Sequence, residues 1–344
     1  DVQMKRVTIK DIAAHLSLSV STVSRALADD PYIRRETREK ILRAAEDLNY
    51  KRNSLAVNLR YGRTGIVGVV VDEMLSSYAG QALRGLQAVM QKEGISILVA
   101  CSYHDSDQEA RNLRAMESAM VDGLIVHPCH DSSNVDIFNR LLAKGVPMVF
   151  LGRNPGATKA SEVVVDDYSK VFFLLDHVIR SGRSRIVHIT GDGRSDYFDT
   201  IRHAYADALA RFGIAYDPCK VIAAKPTFEG GMSAVDMIRS RGIGFDAVFA
   251  AADLQAIGAM NRLLQLGVKI PEEVSVAGYA GSCLSKMVYP QLTTVEPPLV
   301  EMGEKSARLL LEKINDPSAP ERSMTVDAKI LLRSSTHSVS EAGG

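Results

Sequence analysis

Two rhythms of apolar residues run along this chain. Residues 5–50 carry them at three- and four-residue intervals, with no strand-like run. Beyond Thr64, Val/Ile/Leu-rich runs alternate with amphipathic stretches. The runs predict strands at 65–71, 95–100, 123–127, 147–151, 163–165, 185–190, 220–223, 246–250 and 274–278. The stretches between them predict helices at 80–93, 107–120, 169–181, 198–212, 230–240 and 253–267. Apolar runs that do not alternate suit strands covered on both faces. Strand–helix alternation repeated this often predicts an α/β fold of parallel units in doubly wound sheets. The strands are too many for one sheet, so two similar lobes are expected. Gly94, Gly145, Gly182, Gly213 and Gly267 stand where helices should stop, as left-handed caps.

The first 50 residues predict a three-helix module. Thr8 caps the first helix, with Asp11 placed to complete a capping box. Ile9, Ile12, Ala13 and Leu16 form its apolar face. Ser17-Leu18-Ser19 makes a tight turn, and Ser19 can cap the second helix. Val23, Ala26 and Leu27 then point inward, leaving Val20, Ser21, Ser24 and Arg25 outside. A third helix, 35–48, offers Ile41, Leu42, Ala45 and Leu48 to close the core. Two short helices around such a turn, with small hydroxyls and an arginine exposed on the second, suit insertion into a DNA major groove. A plain helical bundle with a solvated polar face is the alternative.

Charge separates the two zones. Residues 1–63 hold 13 Lys and Arg against 8 Asp and Glu, while the whole chain has net charge zero. A basic end on an acidic body suggests that only the end meets a polyanion. At 344 residues, two or three domains are expected. Cys101, Cys129, Cys219 and Cys283 are far apart and form no CxxC pair. They read as free thiols in a reducing compartment. No stretch reads as a signal peptide or as a membrane span, so a cytoplasmic protein that does not enter the membrane is expected. No phosphate-loop, GxSxG or HExxH motif occurs. Gly191-Asp192-Gly193 follows a strand but lacks the third glycine of a dinucleotide fingerprint. Neither an enzyme, nor a cofactor, nor a metal site is expected.

The amino-terminal module closely resembles the LacI/GalR family of bacterial transcription regulators. The matching residues are Thr8-Ile9-Lys10-Asp11-Ile12-Ala13, Val20-Ser21-Thr22-Val23-Ser24-Arg25-Ala26-Leu27, Thr37-Arg38 and Leu48-Asn49-Tyr50. The resemblance runs on to about Ser334. It implies a helix-turn-helix DNA-binding domain at 5–50, a hinge helix and linker at 51–63, and an effector-binding and dimerisation core at 64–334. The core resembles periplasmic binding proteins. Its first lobe is expected at about 64–165 and 297–321, its second at about 166–292 and 327–334. Crossovers fall near Asp166–Asp167, Thr293–Pro297 and Arg322–Val326.

The resemblance also assigns residues. Thr8, Val20, Ser21 and Arg25 fall on positions that contact operator bases or nearby phosphates, and Thr22, Ser24, Tyr32 and Asn53 on positions that touch backbone. In the hinge, Ala56 allows two helices to approach, and Leu59 matches a leucine that wedges into a base step from the minor groove. Arg52 stands where the family usually has Pro, and Val57 where it often has Arg. The cleft positions map onto Glu73, Ser76, Tyr78, Arg153 and Asp166 in the first half. In the second they map onto Ser195, Tyr197, Asp199, Pro226, Asp253 and Ala280. Carboxylates and tyrosines suit a polyhydroxylated ligand, and Arg153 suits a carboxylate or phosphate. Ala280 replaces an Asp that often holds the effector, and Ala79 replaces a common second aromatic.

The expected function is a homodimeric repressor on a pseudo-palindromic operator, controlled by a sugar or related metabolite between the lobes. The alternative is a small-molecule binding protein of periplasmic type without specific operator recognition.

Overall fold

A computed structural model describes residues 7–27, 29–48, 50, 63–74, 77–129, 133–156, 158–191 and 196–338. The chain forms two compact units that divide between Thr64 and Gly65.

The first unit holds α1 (Ile9–His15), α2 (Val20–Leu27) and α3 (Arg35–Asp47). Its core is Ile12, Ala13, Val23, Ala26, Ile41, Ala44 and Ala45. Leu42, expected in this core, is 44% exposed, and Ala44 takes the inward place. The reason is spacing: with Ile41 inward, positions 44, 45 and 48 follow it at three, four and seven residues, and 42 sits a step off that stripe.

The second unit contains two six-stranded sheets. The first runs β11-β5-β4-β3-β1-β2. Its strands are β1 (Ile66–Val71), β2 (Ser96–Cys101), β3 (Gly123–Val126), β4 (Met148–Gly152), β5 (Ser161–Val165) and β11 (Ser323–Val326). Helices α4 (Ser77–Met90), α5 (Ser106–Ser118), α6 (Val135–Ala143) and α11 (Leu299–Asn315) belong to this lobe. The second sheet runs β12-β10-β9-β8-β6-β7. Its strands are β6 (Ile186–Thr190), β7 (Val221–Ala223), β8 (Ala247–Ala250), β9 (Ser275–Tyr279), β10 (Thr293–Glu296) and β12 (Lys329–Leu331). Helices α7 (Asp167–Arg180), α8 (Asp196–Arg211), α9 (Phe228–Ser240) and α10 (Asp253–Gln265) cover it.

The chain passes between lobes after β5, after β10 and after β11. All pairings in the first sheet are parallel. In the second, β12 runs antiparallel to β10, which departs from a purely parallel sheet. A parallel pairing needs a crossover, usually a helix, to carry the chain back to the starting edge. Only two residues separate β11 from β12, so β12 enters from the end at which β11 leaves.

Close helix crossing holds the first lobe together. A Cβ on Gly303 would lie 2.1 Å from Ala82 O, and one on Gly85 would lie 2.0 Å from Val300 O. Backbone therefore meets backbone where α4 crosses α11. The core beneath contains Val67, Val69, Leu86, Met90, Met302 and Leu310.

Both sheets share one feature that positions a site. In each, the first strand sits between the second and the third, so connections leave it in opposite directions. A crevice opens there at the carboxyl ends of the strands. In the first sheet this point lies between β1 and β3, and in the second between β6 and β8.

Candidate DNA interface and effector cleft

On the first unit, Asp11 accepts from both the Thr8 backbone N–H (2.7 Å) and the Thr8 hydroxyl (2.6 Å). This fixes the start of α1. Ser17 makes the turn with φ 53°, and the Thr22 backbone N–H donates to Ser19 Oγ at 3.1 Å. Ser19 thus starts α2 in a set direction. Val20 is 43% exposed, Ser21 and Arg25 are exposed, and Thr22 and Ser24 are half-buried. Tyr32, in the loop before α3, is 89% exposed. A side-chain arginine, two hydroxyls and an apolar Val share one helical face. Such a face can read base edges by hydrogen bonding and by contact with thymine methyls. Asn53, Ala56 and Leu59, with the rest of the expected hinge, lie outside the described residues.

In the second unit, Asp72 closes β1 and His127 closes β3, either side of the first crevice. His127 Nε2 lies 3.2 Å from Asp72 Oδ2, and His127 Nδ1 lies 2.6 Å from Leu151 O. Arg153, just beyond β4, places Nη2 3.2 Å from the same Asp72 oxygen and donates from Nε to Pro128 O at 2.9 Å. His104 Nδ1 stands 3.6 Å from that oxygen. Burial pushes the Asp72 carboxyl up, but His127, Arg153 and His104 together hold it well below the usual range. It is ionised at neutral pH.

Tyr78, at the start of α4, lies against His127 with ring centres 4.6 Å apart. Gly152 makes room for both: a Cβ there would lie 2.1 Å from Tyr78 Oη and 3.0 Å from the imidazole, and its φ is +84°. Across the crossover, Tyr279 donates its hydroxyl to Asp167. The rings of Tyr197 and Tyr279 meet edge-on at 6.2 Å. Burial raises Asp167 to about 6, although the Tyr279 hydroxyl and the positive charges of Arg153 and His127 oppose this. Burial and the Asp167 charge also raise Tyr78, Tyr197 and Tyr279. These three remain hydroxyl donors.

The expected cleft residues are therefore sorted by the fold. Tyr78, Arg153 and Tyr197 come together with Asp72, His127, Asp167 and Tyr279, which sequence reasoning missed. Asp166 caps α7, accepting from Ser169 N at 3.0 Å, and its neighbour Asp167 faces the tyrosines instead. Asp199 pairs with Arg202 on its own helix. Asp253 is 2% exposed and tied to Thr294 and Ser282. Pro226 precedes α9 and is half-buried. Ala280 has φ 105° and packs on the second-lobe core. Glu73 follows Asp72 and is half-buried. Ser76 and Ser195 lie outside the described residues. Asp72 and His127 did carry a signal: each is the first polar residue after an uninterrupted apolar run, VVVD and LIVH.

Comparison with known proteins agrees with this division. Residues 8–53 match the model for bacterial regulatory proteins of the lacI family, and residues 175–336 match the periplasmic binding protein-like domain. The ribose operon repressor of Haemophilus influenzae is 27% identical over 333 residues, covering 96% of this chain and 99% of that protein. The HTH-type transcriptional repressor CytR of Escherichia coli K12 is 25% identical, covering 98% of each. Among solved structures, a CelR–cellobiose complex aligns with TM-score 0.73 at 26% identity, over 96% of this chain and 100% of that one. The lac repressor dimer bound to operator aligns with TM-score 0.86 at 21% identity, over 96% and 99%, and shows the same fold. A lacI-type helix-turn-helix domain joined to a periplasmic-binding-protein-like core makes this chain a member of the LacI family.

Proposed function

We propose that the protein is a sequence-specific DNA-binding repressor, acting as a homodimer on a pseudo-palindromic operator and controlled by a small molecule held between the two lobes. The observation that carries the reading is the face of α2, where Ser19 and Thr8 fix two short helices and leave Val20, Ser21 and Arg25 outward. Relatives named as repressors over nearly the whole length support it. So do structural neighbours titled as complexes with cellobiose and with ribose.

The domain division we propose is 5–50 for DNA, 51–63 for the hinge, and 64–334 for effector binding and pairing. Asn53, Ala56 and Leu59 are assigned to hinge contacts with DNA. β2 is an edge strand of the first sheet. Beside it runs a groove of mixed lining, in which Leu83, Ile95, Ile97 and Val99 stand with Gln87, Gln91 and Ser96. A sheet edge with Leu98 exposed on it supports pairing with a second copy. A repressor that meets operator works in the cytoplasm and needs no catalytic constellation. Among the described residues, no helix is long and apolar enough to cross a membrane.

Effector control requires the ligand to bind two core states with different affinity. The Asp72–His127–Arg153 group in one lobe and the Asp167–Tyr279 pair in the other give a ligand contacts that change with lobe closure. The test is selection from a random duplex pool with the full-length protein. Enrichment of one two-fold-symmetric sequence, with affinity falling steeply with salt, is expected. Recovery of no preferred sequence overturns the reading.

A further inference from the structure

Two buried polar atoms on β6 stand without a partner. His188 is 0% and Thr190 5% exposed, and neither His188 Nε2 nor Thr190 Oγ1 meets a hydrogen-bonding atom among the described residues. Buried polar groups in folded proteins are paired, with protein or with ordered water. Alternation along a strand sends residues 186, 188 and 190 to one face. That face is the one α8 covers: Ile186 shares a core with Phe198, Ile201 and Tyr205 of the helix and with Phe249 of β8. Val187 and Ile189 belong to the core on the other face.

The state of the His188 ring follows from its neighbours. Nδ1 lies 3.2 Å from Phe249 O. A carbonyl only accepts, so Nδ1 carries the proton. Burial between Tyr205 and Phe249 lowers the ring to about 4. The ring is therefore neutral at pH 7, and Nε2 is a bare lone pair that calls for a donor. Tyr205 does not supply it, because its hydroxyl goes to Ile186 O at 2.9 Å. The Thr190 hydroxyl can both donate and accept, yet it makes no direct bond to the ring. Two positions along a strand advance it by about 6.6 Å. Two hydrogen bonds through a single oxygen reach across about 5.5 Å, so one water spans the gap between the side chains. An anion has no proton to give the lone pair, and the nearby charge of Arg202 disfavours a cation.

We infer that an ordered water molecule is built into the second lobe between β6 and α8, donating to His188 Nε2 and hydrogen-bonded to Thr190 Oγ1. A buried water holds its place when it has two or more polar partners, and these two side chains provide them. The water completes a strand that is polar at two of the positions α8 covers. It thereby lets the helix that carries Tyr197 to the cleft seat on that strand with no polar atom left bare.

The first test is a crystal structure of the full-length protein at a resolution that places internal waters. One density peak within hydrogen-bonding distance of both His188 Nε2 and Thr190 Oγ1 is expected. No peak, or a peak that touches only one of the two atoms, overturns the inference. The second test is a double-mutant cycle by urea unfolding at pH 7, with His188→Met, Thr190→Val and the two together. Each single change strands the water and the remaining polar atom, so each should raise the unfolding equilibrium constant about tenfold. The double variant removes both polar atoms and should cost no more than His188→Met alone. Costs that multiply in the double variant, to about a hundredfold, show two independent atoms and overturn the shared water. Should a variant not fold, the wild-type crystal structure still decides.

Discussion

The Thr294 hydroxyl donates to Asp253 Oδ1 at 2.6 Å, inside the second lobe. Thr294 lies on β10, whose end carries the chain back to the first lobe, and Asp253 opens α10. The second oxygen of Asp253 accepts from Ser282 N at 2.6 Å. One carboxylate thus fastens a crossover strand, a helix and the loop after β9. It reads as an effector ligand from its position in the chain, yet its oxygens hold the frame around the cleft.

Burial raises the Asp253 carboxyl to about 7, against the pull of Thr294 and Ser282. A carboxyl raised in the folded state holds its proton more tightly there than in the unfolded chain. Its contribution is full below about pH 4 and declines as pH rises to about 7. Asp253→Asn removes that decline. Relative to wild type, the variant should therefore gain stability between pH 4 and 7, by on the order of 3 kcal/mol across the window. Urea unfolding at pH 4.5 and pH 7.5 checks this, and an unchanged difference between the two proteins contradicts it.

His188 acts with the opposite sign. It is fully buried between Tyr205 and Phe249, with Nδ1 3.2 Å from Phe249 O. Burial lowers it to about 4. The folded state therefore keeps the ring neutral, and the stability it contributes is lost as pH falls from about 6.5 towards 4. The loss reaches about 3 kcal/mol at the acid end. His188→Met should flatten the acid limb of the stability profile while lowering stability at pH 7 by about 1 kcal/mol through the lost hydrogen bond. A variant with the wild-type acid limb would show that some other group sets it.

Gly152→Ala tests the cleft. A Cβ there meets Tyr78 Oη at 2.1 Å, and the φ of +84° disfavours any side chain. A loss of roughly 2 kcal/mol in stability is expected from the backbone alone. The displaced Tyr78 and His127 should abolish ligand response while operator binding persists. Circular dichroism melts, and gel-shift titration of operator with candidate sugars and sugar acids, read both effects.

Arg25→Met tests the DNA face. Arg25 is exposed on α2, so the melting temperature should not move. Operator affinity should fall at least tenfold, consistent with about 1–3 kcal/mol for a good arginine contact to a base. Ser19→Ala should instead lower the stability of the first unit by about 1 kcal/mol, because it removes the cap of α2. Equal operator affinity in Arg25→Met would place the reading face elsewhere.

Much of this molecule is set within a few residues of chain. The Thr8–Asp11 capping box, the Ser19 cap and the uninterrupted runs IVGVVV and MVFLG state their own helix starts and strands, because caps and burial patterns depend on neighbours one to four positions away. β10 and β11, TTVE and SMTV, carry no such apolar run, and the apolar pattern alone does not mark them as strands. Which side chains form the cleft was decided by tertiary structure. Asp166 and Asp167 are adjacent and chemically alike, yet one caps α7 and the other takes the Tyr279 hydroxyl, since only the helix direction distinguishes them. Asp72 and His127 are 55 positions apart and meet because β1 and β3 are neighbours in the sheet, which no local pattern encodes. The chain by itself determined a two-helix DNA reader ahead of a two-lobed α/β core. The sheet order and the crossings decided which charges share the cleft, because electrostatic balance depends on distance in space and not along the chain.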